Sequence, residues 1–312
     1  VKRIMNMVED IGKIISNGFG TYTKNLNICV PFILDFFISV LIVLLFAGFG
    51  LFYIFGTSLS QIEGATTPEA MALVLLPLIS QHIIEIAILI TVILVIIFLI
   101  QAYFTSGAIG MAIQATGSGK SSLSTMNDAG RKNLVNMFFA EILFGLISLV
   151  GIVFIVPGAM KIDISQLMEL KNPESAALFF VGLMLWILYI IVLSIVLAIF
   201  RYALVAENLG PIESISTAFD FFKKNKGDVI ILFIFLIVVS ITLFIVDQTM
   251  NSLSISIINI LWSFISFFIS LIVIAPLTTV WWVRLYMVRT DKTIYFDELL
   301  AHPNDLEKLQ MK

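Results

Sequence analysis

Six long apolar runs govern what this chain can become. They are Ile28 to Phe55, about Ile86 to Ile113, Leu134 to Val156, Ala176 to Val205, Val229 to Val246 and Ile255 to Val283. At ~1.5 Å per residue, about 20 apolar residues cross the hydrocarbon core of a bilayer. Each run is continuous rather than alternating, so it fits a helix and not a strand of a membrane barrel. The expected fold is therefore all-α: a polytopic membrane protein with six transmembrane helices. Composition points the same way. The chain is 60% hydrophobic and 12% charged, with a mean hydropathy of +1.07. A soluble domain could not hide that much apolar surface.

Lysine and arginine set the expected orientation, because they concentrate on the cytoplasmic side of a membrane. Of the 18 in the chain, all but Lys161 and Lys171 fall on one side of the six runs. Both termini are expected to be cytoplasmic, in the cell membrane. The first ten residues, V-K-R-I-M-N-M-V-E-D, lack the apolar core and cleavage site of a secretory signal and are expected to be retained.

The connections carry an internal repeat. Ser122 to Asn133 reads S-L-S-T-M-N-D-A-G-R-K-N, and Ser214 to Asn225 reads S-I-S-T-A-F-D-F-F-K-K-N. Ile14 to Asn25 matches the latter at Ile15, Ser16, Phe19, Lys24 and Asn25. Each copy is expected to be a short amphipathic elbow helix leading into a helical hairpin. The units are residues 8–113, 120–205 and 211–289, within a membrane domain of residues 1–289. A polar tail, 290–312, follows and is expected to hold two short helical pieces divided by Pro303. In the third elbow Ile212, Ile215, Phe219 and Phe222 share one helical face. Such helices can lie in the headgroup region, with Lys24, Lys132 and Lys224 near lipid phosphates, or pack on the bundle as connectors. On the other side, Thr67-Pro68-Glu69 and Asn172-Pro173-Glu174 both read as helix starts, with Pro at the first helical position.

Signals for chemistry are sparse. Gly117-Ser118-Gly119-Lys120-Ser121 resembles a phosphate-binding loop, but Gln114 stands where the motif needs glycine, and no strand precedes it. The expectation is a linker. His82 and His302 fall on opposite sides of the membrane, so no two-histidine metal site is expected. The single cysteine, Cys29, reads as an inert thiol. With a net charge of −3, nucleic acid is not an expected partner. No enzyme activity and no cofactor are expected.

Polar residues inside the spans are more telling. Asp35, Gln101, Glu141, Arg201 and Arg284 form a candidate intramembrane polar cluster. A charge in this setting costs at least about 2.5 kcal/mol unless paired or wetted. An acid can shed its charge by taking a proton, whereas arginine cannot. Asp35 or Glu141 is therefore expected within reach of Arg201 or Arg284. Trp281-Trp282 and Tyr202, beside the arginines, read as an interfacial aromatic belt.

The third repeat, Tyr202 to Ile215 with Ala218-Phe219 and Lys224-Asn225, resembles the membrane domain that accompanies some glycerophosphoryl diester phosphodiesterases. It is also similar to stand-alone multi-span proteins of unknown function, including the YciC-like group. The resemblance implies a fold group and no reaction, since no barrel-sized soluble segment is present for the phosphodiesterase domain. The expected function is a non-enzymatic membrane-organising or partner-binding component with lipid-contacting elbows. Its partners would be membrane lipids and another membrane protein or a second copy. The alternative is a permease or transporter of a lipid or small solute that uses an inner-leaflet polar pocket.

Overall fold

The computed structural model describes residues 9–56, 67–160, 173–253 and 256–295, and all the regular structure among them is helical. In chain order the helices are α1 (Ile11–Lys24), α2 (Val30–Phe55), α3 (Pro68–Gln81) and α4 (Ile83–Ser118). Then come α5 (Leu123–Val150), α6 (Val156–Ala159), α7 (Pro173–Val196) and α8 (Phe200–Glu207). The last are α9 (Pro211–Asn251), α10 (Ser256–Ile269) and α11 (Ala275–Arg289). Among the described residues, six stretches are long and apolar enough to cross a membrane: Leu26–Phe55, Ile83–Ser118, Leu123–Phe154, Ala177–Glu207, Pro211–Asn251 and Ile257–Arg289. They match the six apolar runs in number and order. The chain is thus a multi-pass membrane protein.

Helix starts obey local capping chemistry. The Asp10 carboxylate accepts the Lys13 N–H at 2.8 Å, and Ser122 Oγ accepts that of Thr125 at 3.2 Å. At α9, Pro211 opens the helix while Glu213 reaches back to the Gly210 N–H at 3.1 Å. Pro68 and Pro173 open α3 and α7, as their sequence pattern predicts.

The elbows depart from expectation. Only the first stands alone: α1 ends at Asn25, whose backbone leaves helical geometry, and a short 3-10 turn (Leu26–Cys29) leads into α2. The second elbow runs without interruption into its span within α5. The third is continuous with α9 except at Asn225, which sits off helical geometry. The physical reason lies in the backbone hydrogen bonds. Nothing at Asn133 removes an N–H, so the helix ladder propagates from elbow to span.

The core sits at one end of the bundle, where the elbows are. Ile14, Ile28, Met111, Met137, Leu204, Val229, Leu232 and Leu285 are fully buried there. Farther along the spans, large apolar side chains such as Phe49, Leu94, Met184 and Phe264 are exposed, as suits helices solvated by lipid. The expected belt of Tyr202, Trp281 and Trp282 is overturned. All three are buried in this core, with the Trp281 Nε1–H donating to the Ile15 carbonyl at 2.9 Å. Gly18 makes room for the Trp281 ring, so α1 docks directly on α11.

The last span contains a π-helical segment, Ser270–Ile274, just before Pro276. Proline has no N–H to return to the carbonyl four residues earlier. That carbonyl belongs to Ile272, and the Tyr22 hydroxyl donates to it. Burial, with a smaller effect from Cys29, pushes the Tyr22 hydroxyl up to about 12, so it remains a donor. An orphaned backbone group inside a membrane protein is thereby satisfied from the first elbow.

Small residues let α4 and α5 approach closely, as membrane helices without large knobs do. A Cβ on Gly110 would lie 2.3 Å from the Cβ of Ala129. Gly110→Val should therefore destabilise the protein by about 1–3 kcal/mol through overpacking. Gly145→Ala, where an added Cβ meets nothing within 4 Å, should be neutral or slightly stabilising. Thermal unfolding in detergent distinguishes them; equal melting points would refute close α4–α5 packing.

Candidate functional site

Four of the five cluster residues come together. Asp35 from α2, Gln101 from α4, Glu141 from α5 and Arg201 from α8 line one cavity of about 230 Å³. Phe98, Ala102 and Thr105 from α4 and Ile142 from α5 complete its wall. The geometry follows from helix periodicity, since Phe98, Gln101, Ala102 and Thr105 recur at three- and four-residue spacing on one face.

Arg201 and Glu141 form a bidentate pair. Nε donates to Oε1 at 2.5 Å and Nη2 to Oε2 at 2.9 Å. This fork geometry is the strongest ion pairing arginine makes with a carboxylate. The guanidinium carbon also lies 5.3 Å from the centre of the Phe200 ring, which stacks on Phe144. Asp35 is held differently. Its Oδ1 is buried without a hydrogen-bond partner, as is Ser39 Oγ. Ser39, one turn further along α2, interacts with the carboxylate only outside hydrogen-bond geometry. Among the described residues, no side chain or backbone group pairs with the Gln101 amide. The cavity therefore holds a self-neutralised pair, a carboxylate without a cation, and neutral polar groups with free bonding capacity.

Arg284 does not belong to this cluster, which corrects the sequence expectation. It is buried in the core at 3% exposure, against Glu9 at 4%. Its Nε and Nη2 donate to the Glu9 carboxylate at 2.8 and 2.6 Å, and Nη1 reaches Thr21 Oγ1 at 3.2 Å. Glu9 is also bonded by Asn17 Nδ2 at 2.8 Å. Burial alone would push the Glu9 carboxyl up. The Arg284 hydrogen bonds and charge, helped by Asn17 and Lys13, outweigh burial and hold it below the ordinary carboxylate value. Arg289 extends this network, donating to Asp228 Oδ2 at 2.6 Å and to the Glu9 carbonyl at 2.9 Å. Glu9, Asp228 and Thr105 were not among the expected site residues. Thr105 carried a signal, since it follows Gln101 by one helical turn; the Glu9–Arg284 pairing spans 275 residues and has none.

Gly117 to Ser122 is a clamped turn, not a phosphate cradle. Gly119, at φ 79°, ends α4, and the Tyr295 ring lies against it. The Ser121 N–H is taken by Asn25 Oδ1 at 2.7 Å and the Ser122 N–H by Gln114 Oε1 at 2.9 Å. Asn25 Nδ2 in turn donates to the Gly119 carbonyl at 3.1 Å. The N–H groups of Gly119, Ser121 and Ser122, which a phosphate cradle would use, are already engaged.

On the elbows, Lys24, Lys132 and Lys224 are all exposed. The predicted apolar face of the third elbow is split. Ser214, Ala218 and Phe221 face the core, while Ile212 at 75% and Phe219 at 45% stay exposed. Phe19, the matching residue of the first elbow, is exposed at 53%. Ser214 and Ala218 are small and allow close docking there, with Phe221 filling the core beside them.

No curated protein and no solved structure matches the chain. A family model does match, over residues 10–288, which takes in the six spans but for the last residue of the sixth, together with Arg201, Arg284 and the cavity wall. That coverage is most of the protein, and the chain accordingly belongs to the family described as a domain of unknown function, DUF7847.

Proposed function

We propose that the chain is a permease-like protein of the cell membrane that admits a small polar solute to the cavity between its first four spans. The observation that carries this reading is Asp35, whose buried Oδ1 has no partner in a cavity that also holds the unpaired Gln101 amide. A purely structural polar cluster would close its hydrogen bonds, because unsatisfied polar groups cost most inside a membrane. The Arg201–Glu141 pair has done so, and Asp35 has not.

The rest of the reading concerns organisation. Described basic residues cluster near the elbow end, among them Lys13, Lys24, Lys120, Arg131, Lys132, Lys223 and Lys224, which supports a cytoplasmic position for it. Lys161 and Lys171 fall outside the described residues. The threefold repeat has a physical correlate. Asn25, Asn133 and Asn225 each donate Nδ2 to the carbonyl four residues earlier, at 3.0, 3.0 and 3.1 Å. This recurrence supports three elbow-hairpin units; a kinship with YciC-like membrane domains rests on the sequence resemblance of the third repeat alone. A second reading, a membrane-organising component that contacts lipids, another membrane protein or a second copy, is favoured by the exposed Phe19, Ile212 and Phe219 beside elbow lysines. Neither reading calls for enzymatic chemistry, a cofactor or nucleic acid.

Water access to the cavity separates the two. In a Cys29→Ala background, Gln101→Cys in sealed vesicles should react with the membrane-impermeant methanethiosulfonate ethyltrimethylammonium. Ile191→Cys, a span position exposed to lipid, should not. Should Gln101→Cys stay as inert as Ile191→Cys until the protein is denatured, the permease reading fails.

A further inference from the structure

We infer that the cavity binds a small organic ammonium group, with Asp35 as its counter-ion. The inference rests on the cavity being a solute site and adds the class of solute. The charges in the cavity wall decide it. Glu141 and Arg201 cancel through two parallel hydrogen bonds, and both guanidinium nitrogens facing Glu141 are used. Asp35 is the remaining charge. A carboxylate in a membrane interior needs a cation, a proton or water. An anionic solute would meet a negative wall with its arginine already engaged.

The neutral lining fits an ammonium group as well. Gln101 and Thr105 offer oxygen acceptors for N–H donors, and Phe98 puts an aromatic ring in the wall, a residue type that attracts alkylated ammonium. Ala102 and Ile142 give an apolar wall for a short carbon chain. The volume, about 230 Å³, exceeds several times the ~30 Å³ that one water occupies in the liquid. A dehydrated metal ion is a poorer match: among the described residues no three His, Cys, Asp or Glu side chains converge, and hard cations take six or more oxygens. The ammonium could arrive as a free amine or as the ethanolamine headgroup of a lipid entering between spans. The chemistry at Asp35 is the same for both.

The test uses the full chain in detergent and in nanodiscs. Ethanolammonium chloride is compared with sodium chloride at equal ionic strength, and with neutral ethylene glycol, by thermal shift. The wild type should be stabilised by ethanolammonium alone, and Asp35→Asn should lose at least about tenfold in affinity. Phe98→Leu covers the case in which Asp35→Asn does not fold. It should weaken choline binding more than ethanolammonium binding, because the ring acts on the methylated cation. In nanodiscs of phosphatidylglycerol with added phosphatidylethanolamine, native mass spectrometry reads the lipid source. Retention of phosphatidylethanolamine by the wild type and not by Asp35→Asn supports the headgroup; a thermal shift with the free amine supports the soluble ion. If neither source binds while Gln101→Cys still reacts from water, the ammonium assignment is wrong and the solute cavity stands. If Gln101→Cys is sealed as well, both fall.

Discussion

Arg284→Met should be among the most damaging single substitutions in the chain, lowering stability by about 3–5 kcal/mol. The guanidinium is 3% exposed and carries two bonds to Glu9 and one to Thr21. Removing it leaves the buried Glu9 carboxylate with only Asn17 to bind it. The double variant Arg284→Met/Glu9→Leu should recover much of the loss, because a buried pair replaced by apolar groups of similar size is nearly neutral. A companion experiment varies pH. The folded-state value of Glu9 lies below its ordinary 4.5. Its contribution is thus fully present above pH 4.5 and is lost as pH falls through the lowered folded value. Wild type should show this acid limb in thermal unfolding, and Glu9→Gln should show a weaker one. A melting point for Arg284→Met within a degree of wild type would refute the anchoring of the first elbow by this pair.

What the sequence disclosed, and what it hid, follows from the range of each interaction. Six spans were legible because burial in lipid is written into the residue types themselves: Val229 to Val246 needs no partner to be read as membrane-spanning. That an acid would meet an arginine was legible because charges that deep must pair; which of Asp35 or Glu141 meets which of Arg201 or Arg284 was not, and the structure pairs Glu141 with Arg201. Arg284 was misassigned for the complementary reason. Its partner Glu9 lies before α1, in a segment that reads as polar and solvated, and only the docking of α1 on α11 brings the two together. The same docking turned Trp281 and Trp282 from an expected interfacial belt into core. The elbow boundary was hidden at Asn133, where the sequence marks a junction and the helix runs through it, whereas at Asn225 the backbone does leave helical geometry at the marked junction. The cavity itself was only half visible. Asp35, Gln101, Glu141 and Arg201 could be named from polarity, whereas Phe98 and Ile142 are apolar residues among many and gain meaning only from position.

Glu141→Leu should harm the protein more than Arg201→Leu, and the double substitution should harm it less than the sum. The asymmetry comes from proton chemistry. When Arg201 is removed, Glu141 can take a proton and remain as a neutral acid. When Glu141 is removed, Arg201 keeps its charge, because guanidinium does not deprotonate in proteins. Its other contact, the Phe200 ring at 5.3 Å, does not replace a bidentate carboxylate. An unpaired cation at this depth costs about 2.5–3.5 kcal/mol, moderated by water in the cavity. Arg201→Leu should cost less than that, and the double variant should show a coupling of at least about 1 kcal/mol in a cycle on detergent stability. Asp35→Leu combined with Arg201→Leu should by contrast be additive within about 0.5 kcal/mol, since Asp35 makes no bond to the guanidinium. The two cycles together discriminate among charge arrangements. Coupling only between Glu141 and Arg201 leaves Asp35 as the charge available to a solute. Coupling of both acids to Arg201 would mean that the three groups share one neutralised network, and the cavity would then have no charge left to recruit a cation.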